Sequence, residues 1–280
     1  MPLSVLLQYL LPHRLLSRVV YWATRWTWRP WKNWLIATIA RKFAIDTSEA
    51  QQTDPFAFAT FNAFFTRALK PGARTAPADP SAIACPADGR ISQLGAIGGG
   101  RILQAKGQDF TVAELLGDET AAAAYTRGIF VTVYLSPRDY HRVHAPLAGT
   151  LRETLHIPGR IFSVAPFAVE RVPRLFARNE RLVCHFEGAH GPWCLILVGA
   201  MLVSGVETVW SGVEIPPYAS GIERKDWRSR GLSFARFAEL GRFNMGSTAI
   251  LLLPGASAEL DPALTFEMPV KVGQPLGRMV

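Results

Sequence analysis

Acidic residues are missing from the first 45 positions of this chain, where Arg14, Arg18, Arg25, Arg29, Lys32, Arg41 and Lys42 stand unbalanced. Removing those seven from the total leaves 23 basic against 22 acidic residues. The remainder therefore lacks the excess that a nucleic-acid backbone requires, and no nucleic-acid partner is expected. Cysteine is scarce too. Cys85, Cys184 and Cys194 are too few for a disulfide framework and fit a reducing compartment. Two of them flank His185 and His190, but the spacing matches no closed zinc pattern, and no metal is expected. The same stretch reads better as a hairpin whose strands run over Leu182–Phe186 and Trp193–Val198. Long uncharged runs are also absent. Arginines interrupt every candidate for the roughly 18 apolar residues of a spanning helix. The amino end has no early positive region followed by a small-residue cleavage site, so a secretory signal fits poorly.

What is present is a folded composition, 49% hydrophobic and 19% charged over 280 residues, enough for one large core or two modest ones. Five of the eight tryptophans (Trp22, Trp26, Trp28, Trp31, Trp34) crowd into the basic segment. At about 100° per residue, Arg14, Arg18, Arg25, Arg29 and Lys32 fall within roughly 60° of one another. Leu15, Leu16, Val19, Val20, Trp22, Ala23 and Trp26 occupy the other face. That pattern suits a helix lying in the headgroup layer of an anionic membrane, with Arg14, Arg18, Trp22, Arg25, Trp26, Arg29 and Lys32 as contacts. The alternative is a helix that packs its apolar face on the protein and leaves the cations in water. Pro12 and Pro30 predict breaks within the segment.

Phe56–Leu69 reads as a further helix stopped by Lys70-Pro71-Gly72. From Pro77 onward, short apolar runs separated by Gly, Pro and Asp replace helical periodicity. The expected fold is α+β: amphipathic helices over residues 1–75, then a β-rich, hybrid-barrel or sandwich-like catalytic domain over 76–280. Val112–Leu116 and Leu232–Leu240 are its expected short helices.

Chemistry is expected at Gly246-Ser247, which runs into Ala249-Ile250-Leu251-Leu252-Leu253. Glycine permits backbone angles closed to other residues, and the Ser247 hydroxyl lies one five-membered ring from the Gly246 carbonyl. An N-to-O acyl shift followed by β-elimination would cut the chain there and leave a pyruvoyl group. Read alone, Gly-Ser-Thr is equally a turn or bulge before a strand. Two other stretches hold groups able to act on Ser247. Asp88, in Cys85-Pro86-Ala87-Asp88-Gly89-Arg90, is either a hairpin corner or a carboxylate fixed to orient a histidine. In Leu135–Pro146, Ser136, Pro137 and Asp139 resemble a helix start, which would bring His141 and His144 to one face.

Pro86–Gly89, Leu135–His144, Leu175–Arg181 and Met245–Thr248, in that order, resemble the membrane-associated bacterial phosphatidylserine decarboxylases from about Phe61 to the C-terminus. The resemblance implies non-hydrolytic cleavage between Gly246 and Ser247, giving a β chain of 1–246 and an α chain of 247–280. It places a charge relay on Asp88, His144 and Ser247, with His141 positioning the substrate or moving a proton. It further implies a pyruvoyl cofactor made from Ser247, with neither metal nor pyridoxal phosphate. That group would form a Schiff base with phosphatidylserine and yield phosphatidylethanolamine and carbon dioxide. An α/β heterodimer, or a dimer of such heterodimers, on the cytoplasmic face of the cell membrane completes the expectation. Met245 stands where the family usually has Leu, a swap of similar volume. Two rival classes remain: a pyruvoyl enzyme acting on a soluble amino acid, and a non-enzymatic carrier module suggested by Val270–Gly277.

Overall fold

The computed structural model describes residues 3–201, 205–216, 220–255 and 257–280. Three helices open the chain, α1 (Leu3–Leu10), α2 (His13–Arg25) and α3 (Arg29–Phe43). The breaks fall at the prolines: Pro12 directly precedes α2, and Pro30 sits in the first turn of α3, where its missing N–H has no helical partner to lose. The predicted helix over Phe56–Leu69 shrinks to a 3-10 turn at Pro55–Ala57 and a short α4 (Phe61–Phe65). Thr60, extended in backbone, caps α4 by accepting from Ala63 N at 3.0 Å, so the earlier turn cannot run into it.

α2 packs the opposite way from a soluble amphipathic helix. His13, Ser17 and Thr24 face inward and are buried, while Leu15, Val19 and Trp22 lie outward, Leu15 60% and Trp22 74% exposed. Arg14, Arg18 and Arg29 are exposed beside them. Lys32 departs from its expected place in the basic stripe. It is 5% exposed, and its ammonium donates to the Phe56 and Phe58 carbonyls, each at 2.6 Å. Those two carbonyls are turned inward by the chain around the 3-10 turn, and only a long cation reaches them. Arg25 also turns inward, stacked 3.8 Å over the Tyr21 ring and 3.7 Å from Glu207.

The largest sheet among the described residues has nine antiparallel strands, with Ser247–Leu253 near its middle between Gly191–Val198 and Ile129–Leu135. Every residue of Ser247–Leu253 is buried. Alternation sends Ala249, Leu251 and Leu253 into one core with Val131, Val133 and Leu135, and Ile250 and Leu252 into a second with Phe130, Ile196 and Val198. Both faces being covered, the strand reads as an unbroken apolar run. The expected hairpin forms as Arg181–Gly188 and Gly191–Val198.

A second, four-stranded sheet contains Gly212–Ile215, Gly205–Thr208, Glu239–Asn244 and Arg142–His144. Helix does form at Val112–Leu116. Leu232–Leu240 is not helical: Ser233–Phe234 pairs with Gly149–Thr150, and Phe237 adopts a left-handed φ of 73° that breaks any helical run. Glu239–Asn244 leaves the small sheet and passes through Met245 and Gly246 directly into the central strand of the large one. The Gly246–Ser247 bond is thus the corner between two sheets.

Candidate active site

That corner is held differently on its two sides. Ser247 begins a strand pinned by ladder pairing to Leu135, whereas Met245 packs on the aromatic cluster of Ile36, Phe61, Phe64 and Phe65. Met245 carries a positive φ of 86°, an unfavourable region for a residue with a Cβ; Gly246 is outside that region. The permissive residue and the strained residue are therefore neighbours rather than one and the same. Gly246 matters for closeness instead: a Cβ there would lie 3.3 Å from Leu135 O and 3.7 Å from His141 Nε2.

Ser247 is wholly buried, and its Oγ has no hydrogen-bond partner among the described residues. A buried hydroxyl without a partner is costly, by about 1–3 kcal/mol. His141 is its counterpart. The ring is fully buried, its centroid 4.0 Å from that of Phe65 at a 44° tilt, with Nε2 unpartnered among the described residues. Its Nδ1 lies 2.8 Å from the Asp139 carbonyl, which can only accept, so Nδ1 carries the proton and Nε2 holds a lone pair. Burial, aided by the charge of Arg67, pushes this imidazole down to about 3, so it is neutral at physiological pH.

The expected helix over 136–144 is not formed. Asp139 accepts from both Ser136 N and Oγ at 2.7 Å, closing a turn, and Arg142–His144 then pairs with Glu239–Arg242. Sheet pairing overrides the helix-start signal, and the two histidines part company. His144 Nδ1 donates to Phe237 O at 2.7 Å, and its Nε2 accepts from the Tyr140 hydroxyl at 3.1 Å. Burial lowers its affinity for protons, while Phe237 O, Glu239 and Asp88 act in the opposite direction.

Asp88 is buried in a bend rather than a hairpin corner. Its carboxylate accepts from Arg74 Nε at 3.0 Å and Val272 N at 2.8 Å, and is ion-paired to Arg74. His144 N donates to Pro86 O at 2.8 Å, so the two segments run side by side without a hydrogen bond between the Asp88 carboxylate and the His144 ring. The corner brings together Gly246, Ser247 and His141; Asp88 and His144 form an adjoining layer. Sequence reasoning missed Arg74, Tyr140, Phe237 and Phe65. Tyr140, Phe65 and Phe237 stood inside stretches read only for their secondary structure or their histidines, Leu135–Pro146, Phe56–Leu69 and Leu232–Leu240, and Arg74 carried no local signal.

A cavity of about 1050 Å³ opens on the opposite face of the strand pair, between Tyr134 and Ser136, which flank the partner of Ser247. Lys42, Arg90, Lys106 and Arg138 line it with Glu170 and Glu267. Among the described residues no group of three His, Cys, Asp or Glu is disposed to hold a metal, and no helix is long and apolar enough to cross a membrane.

Comparison with known proteins identifies the family. Residues 61–278 match the family profile described as phosphatidylserine decarboxylase, and residues 3–44 match one described as PSD. A phosphatidylserine decarboxylase proenzyme of Xanthomonas axonopodis pv. citri is 63% identical over 99% of both chains. Proteins of the same name from Xanthomonas campestris pv. campestris and Stenotrophomonas maltophilia are 62% and 59% identical, over 99% and 100% of both chains. A Gly-Ser bond at a strained inter-sheet corner, a buried serine hydroxyl and a neutral histidine beside them thus sit in a chain that belongs to the phosphatidylserine decarboxylase family and, by that membership, is a carboxy-lyase.

Proposed function

We propose that this protein decarboxylates phosphatidylserine after cutting its own chain between Gly246 and Ser247. The observation that carries the reading is the buried Ser247 hydroxyl, without a partner among the described residues, two residues after the strained backbone of Met245. In the cut, Ser247 Oγ attacks the Gly246 carbonyl, its proton passes to a base, and the amide becomes an ester. Loss of the Ser247 Cα proton then breaks the Cβ–Oγ bond, freeing a chain of 1–246 that ends in the Gly246 carboxylate. Hydrolysis of the remaining dehydroalanine releases ammonia and leaves a pyruvoyl end on 247–280. The residues present fit its formation: among the described residues no side chain holds the Ser247 hydroxyl back from the Gly246 carbonyl, and the buried strand that Ser247 opens would fix the new chain end. Once formed, it supplies an electrophilic carbonyl that draws electrons from the bond to a departing carboxylate.

The family likeness assigns the base to His144, oriented by Asp88. In that reading Tyr140 must release His144 Nε2 before it can serve Ser247. A second reading rests on the His141 lone pair, which already points at Gly246. His144→Ala and His141→Ala separate them, because the variant that remains full-length on a denaturing gel has lost the base. The other histidine is left to position the substrate carboxylate or reprotonate its Cα.

The phosphatidylserine headgroup carries two negative charges and one positive. The large cavity, with four cations and two carboxylates, matches that balance, and its lining residues Tyr134 and Ser136 flank Leu135, the strand partner of Ser247. Because Ser247 faces away from it in the continuous chain, release of Met245 and Gly246 by the cut is what lets the new end meet a substrate. The outward ridge of Leu15, Val19, Trp22 and Trp26, with Arg14, Arg18 and Arg29, seats the enzyme as a peripheral protein on anionic bilayers. Intact-mass measurement tests the whole reading: two chains split at 246/247, the smaller lacking a free amine, are expected, and a single full-length species in active protein overturns it.

A further inference from the structure

His13 is the residue that the decarboxylase chemistry leaves without a purpose. It begins α2, is only 6% exposed, and lies edge-on to Phe162 with ring centroids 5.6 Å apart. Among the described residues neither ring nitrogen closes a hydrogen bond of ordinary geometry; burial and the charge of Arg160 lower the ring's affinity for a proton, the Gln8 backbone acting weakly the other way. Desolvating an imidazole and leaving both nitrogens unmatched is unfavourable, and such a group in a native fold calls for a ligand.

The surroundings say which kind. His13 lines a cavity of about 240 Å³ at the elbow between α1 and α2, together with Arg14 and Arg160. α2 is 13 residues long, and no side chain caps its N-terminus, so first-turn amides are directed toward this elbow. Arg160 is held in place: its Nη2 donates to Tyr9 O at 3.0 Å and its guanidinium lies 5.6 Å over the Phe162 ring. That hydrogen bond uses one of the five donors a guanidinium carries. The first 45 residues supply no carboxylate that could compete for these groups. Leu11 and Leu15, both exposed, line the site, and the exposed Leu10 precedes Leu11 in the chain, giving an apolar path away from it along the outward ridge.

We propose that the α1–α2 elbow is a binding site for the phosphate of an anionic phospholipid, held by His13, Arg160 and the N-terminus of α2, with the acyl chains along Leu10, Leu11 and Leu15. The site is separate from the Ser247 corner and rests on the reading that the α2 ridge faces a bilayer. It makes lipid attachment a matter of one fixed phosphate position in addition to diffuse charge. The neighbouring cavity wall at Gly159–Ile161 ties that position to the β domain: Arg160 N donates to Arg178 O at 2.9 Å, and Ser163 N donates to the Gln8 side chain at 2.8 Å.

The test uses the full-length protein labelled with ¹⁵N at its six histidine rings, the His13 signal being identified by its loss in His13→Gln. Titration with a short-chain phosphatidylglycerol below its micelle threshold should move the His13 signal saturably. Arg160→Ala should weaken that response about tenfold, as loss of one charge-assisted hydrogen bond does. A His13 signal that stays still overturns the proposal. So does an equal response to short-chain phosphatidylcholine, and an equal response to inorganic phosphate overturns the assignment to lipid. Partition onto anionic vesicles, measured in parallel, keeps the two readings apart. Retained partition with a silent His13 removes this site alone, whereas lost partition with a responsive His13 removes the bilayer reading and leaves the phosphate site.

Discussion

The amino-terminal helices and the central strand of the large sheet are built from similar apolar residues and use them in opposite directions. Ile250, Leu251, Leu252 and Leu253 are all fully withdrawn from water, while Leu10, Leu15, Val19 and Trp22 are left in it. Inward, α2 presents His13, Ser17 and Thr24, residues that a soluble helix would put outside. The difference teaches that the strand's apolar surface has been used for folding, whereas that of the helix is left exposed, open to the bilayer contact proposed above. Scattered exposed leucines on a soluble protein carry no such meaning; a continuous ridge over a polar seam does.

The sharpest test of that division sits where the two regions meet, at the Gly246–Ser247 corner. Ser247→Ala removes the nucleophile without changing the strand that contains it. Processing and decarboxylation should both disappear, a loss of at least about 10³-fold, while the thermal transition stays near that of the uncut wild type. A Ser247→Ala protein that still splits into two chains would break the scheme.

The next test sets one leucine against another. Leu251→Ala opens a void between buried neighbours and should destabilise the fold by about 2–5 kcal/mol. Leu15→Ala, made on the exposed ridge, should change stability by no more than about 0.5 kcal/mol yet reduce partition onto anionic vesicles. Denaturant unfolding and vesicle flotation of both variants measure the contrast; equal destabilisation would mean that the ridge is packed after all.

Much of this was legible in the chain because it is local. An apolar run behind Gly-Ser announces a buried strand, prolines mark where α1, α2 and α3 divide, and Glu187–Pro192 supplies a hairpin turn. The inward turn of Lys32 was not legible, since its partners are carbonyls of Phe56 and Phe58, more than twenty residues away. Periodicity alone gives a stripe without saying which side meets the protein. His141 and His144 were misplaced on a helix for a related reason: Ser136 and Asp139 satisfy a local turn, but the pairing of Arg142–His144 with Glu239–Arg242 spans about a hundred residues. Strain at Met245 was also hidden, because nothing in a methionine announces a positive φ.

Acid separates the regions again, since the amino-terminal helices contribute His13 while the corner contributes the buried His141 and its adjoining layer the half-buried His144. His141 is neutral in the fold down to about pH 3, whereas in the unfolded chain it gains a proton below about 6.5. The unfolded state therefore binds more protons across that window. The stability from this shift is complete above about pH 6.5 and is lost progressively as pH falls toward 3. His144, lowered in the same direction by burial, adds to the effect. His141→Gln should flatten the fall in denaturant midpoint between pH 6.5 and 4; an unchanged slope would place the acid sensitivity elsewhere.

The smallest effect distinguishes two cations that the sequence had put on one stripe. Lys32 is buried on two carbonyls, so Lys32→Ala leaves both acceptors unpaired and should destabilise by about 1–3 kcal/mol, with little change in vesicle binding. Arg18 is exposed among the outward residues. Arg18→Ala should change unfolding far less than Lys32→Ala does and weaken binding to anionic vesicles by about 1 kcal/mol, roughly fivefold, an effect that fades as salt is raised. If Lys32→Ala instead lowers vesicle binding as much as Arg18→Ala at unchanged stability, α3 turns toward the bilayer and the division between a folding surface and a membrane surface has to be redrawn at Arg29.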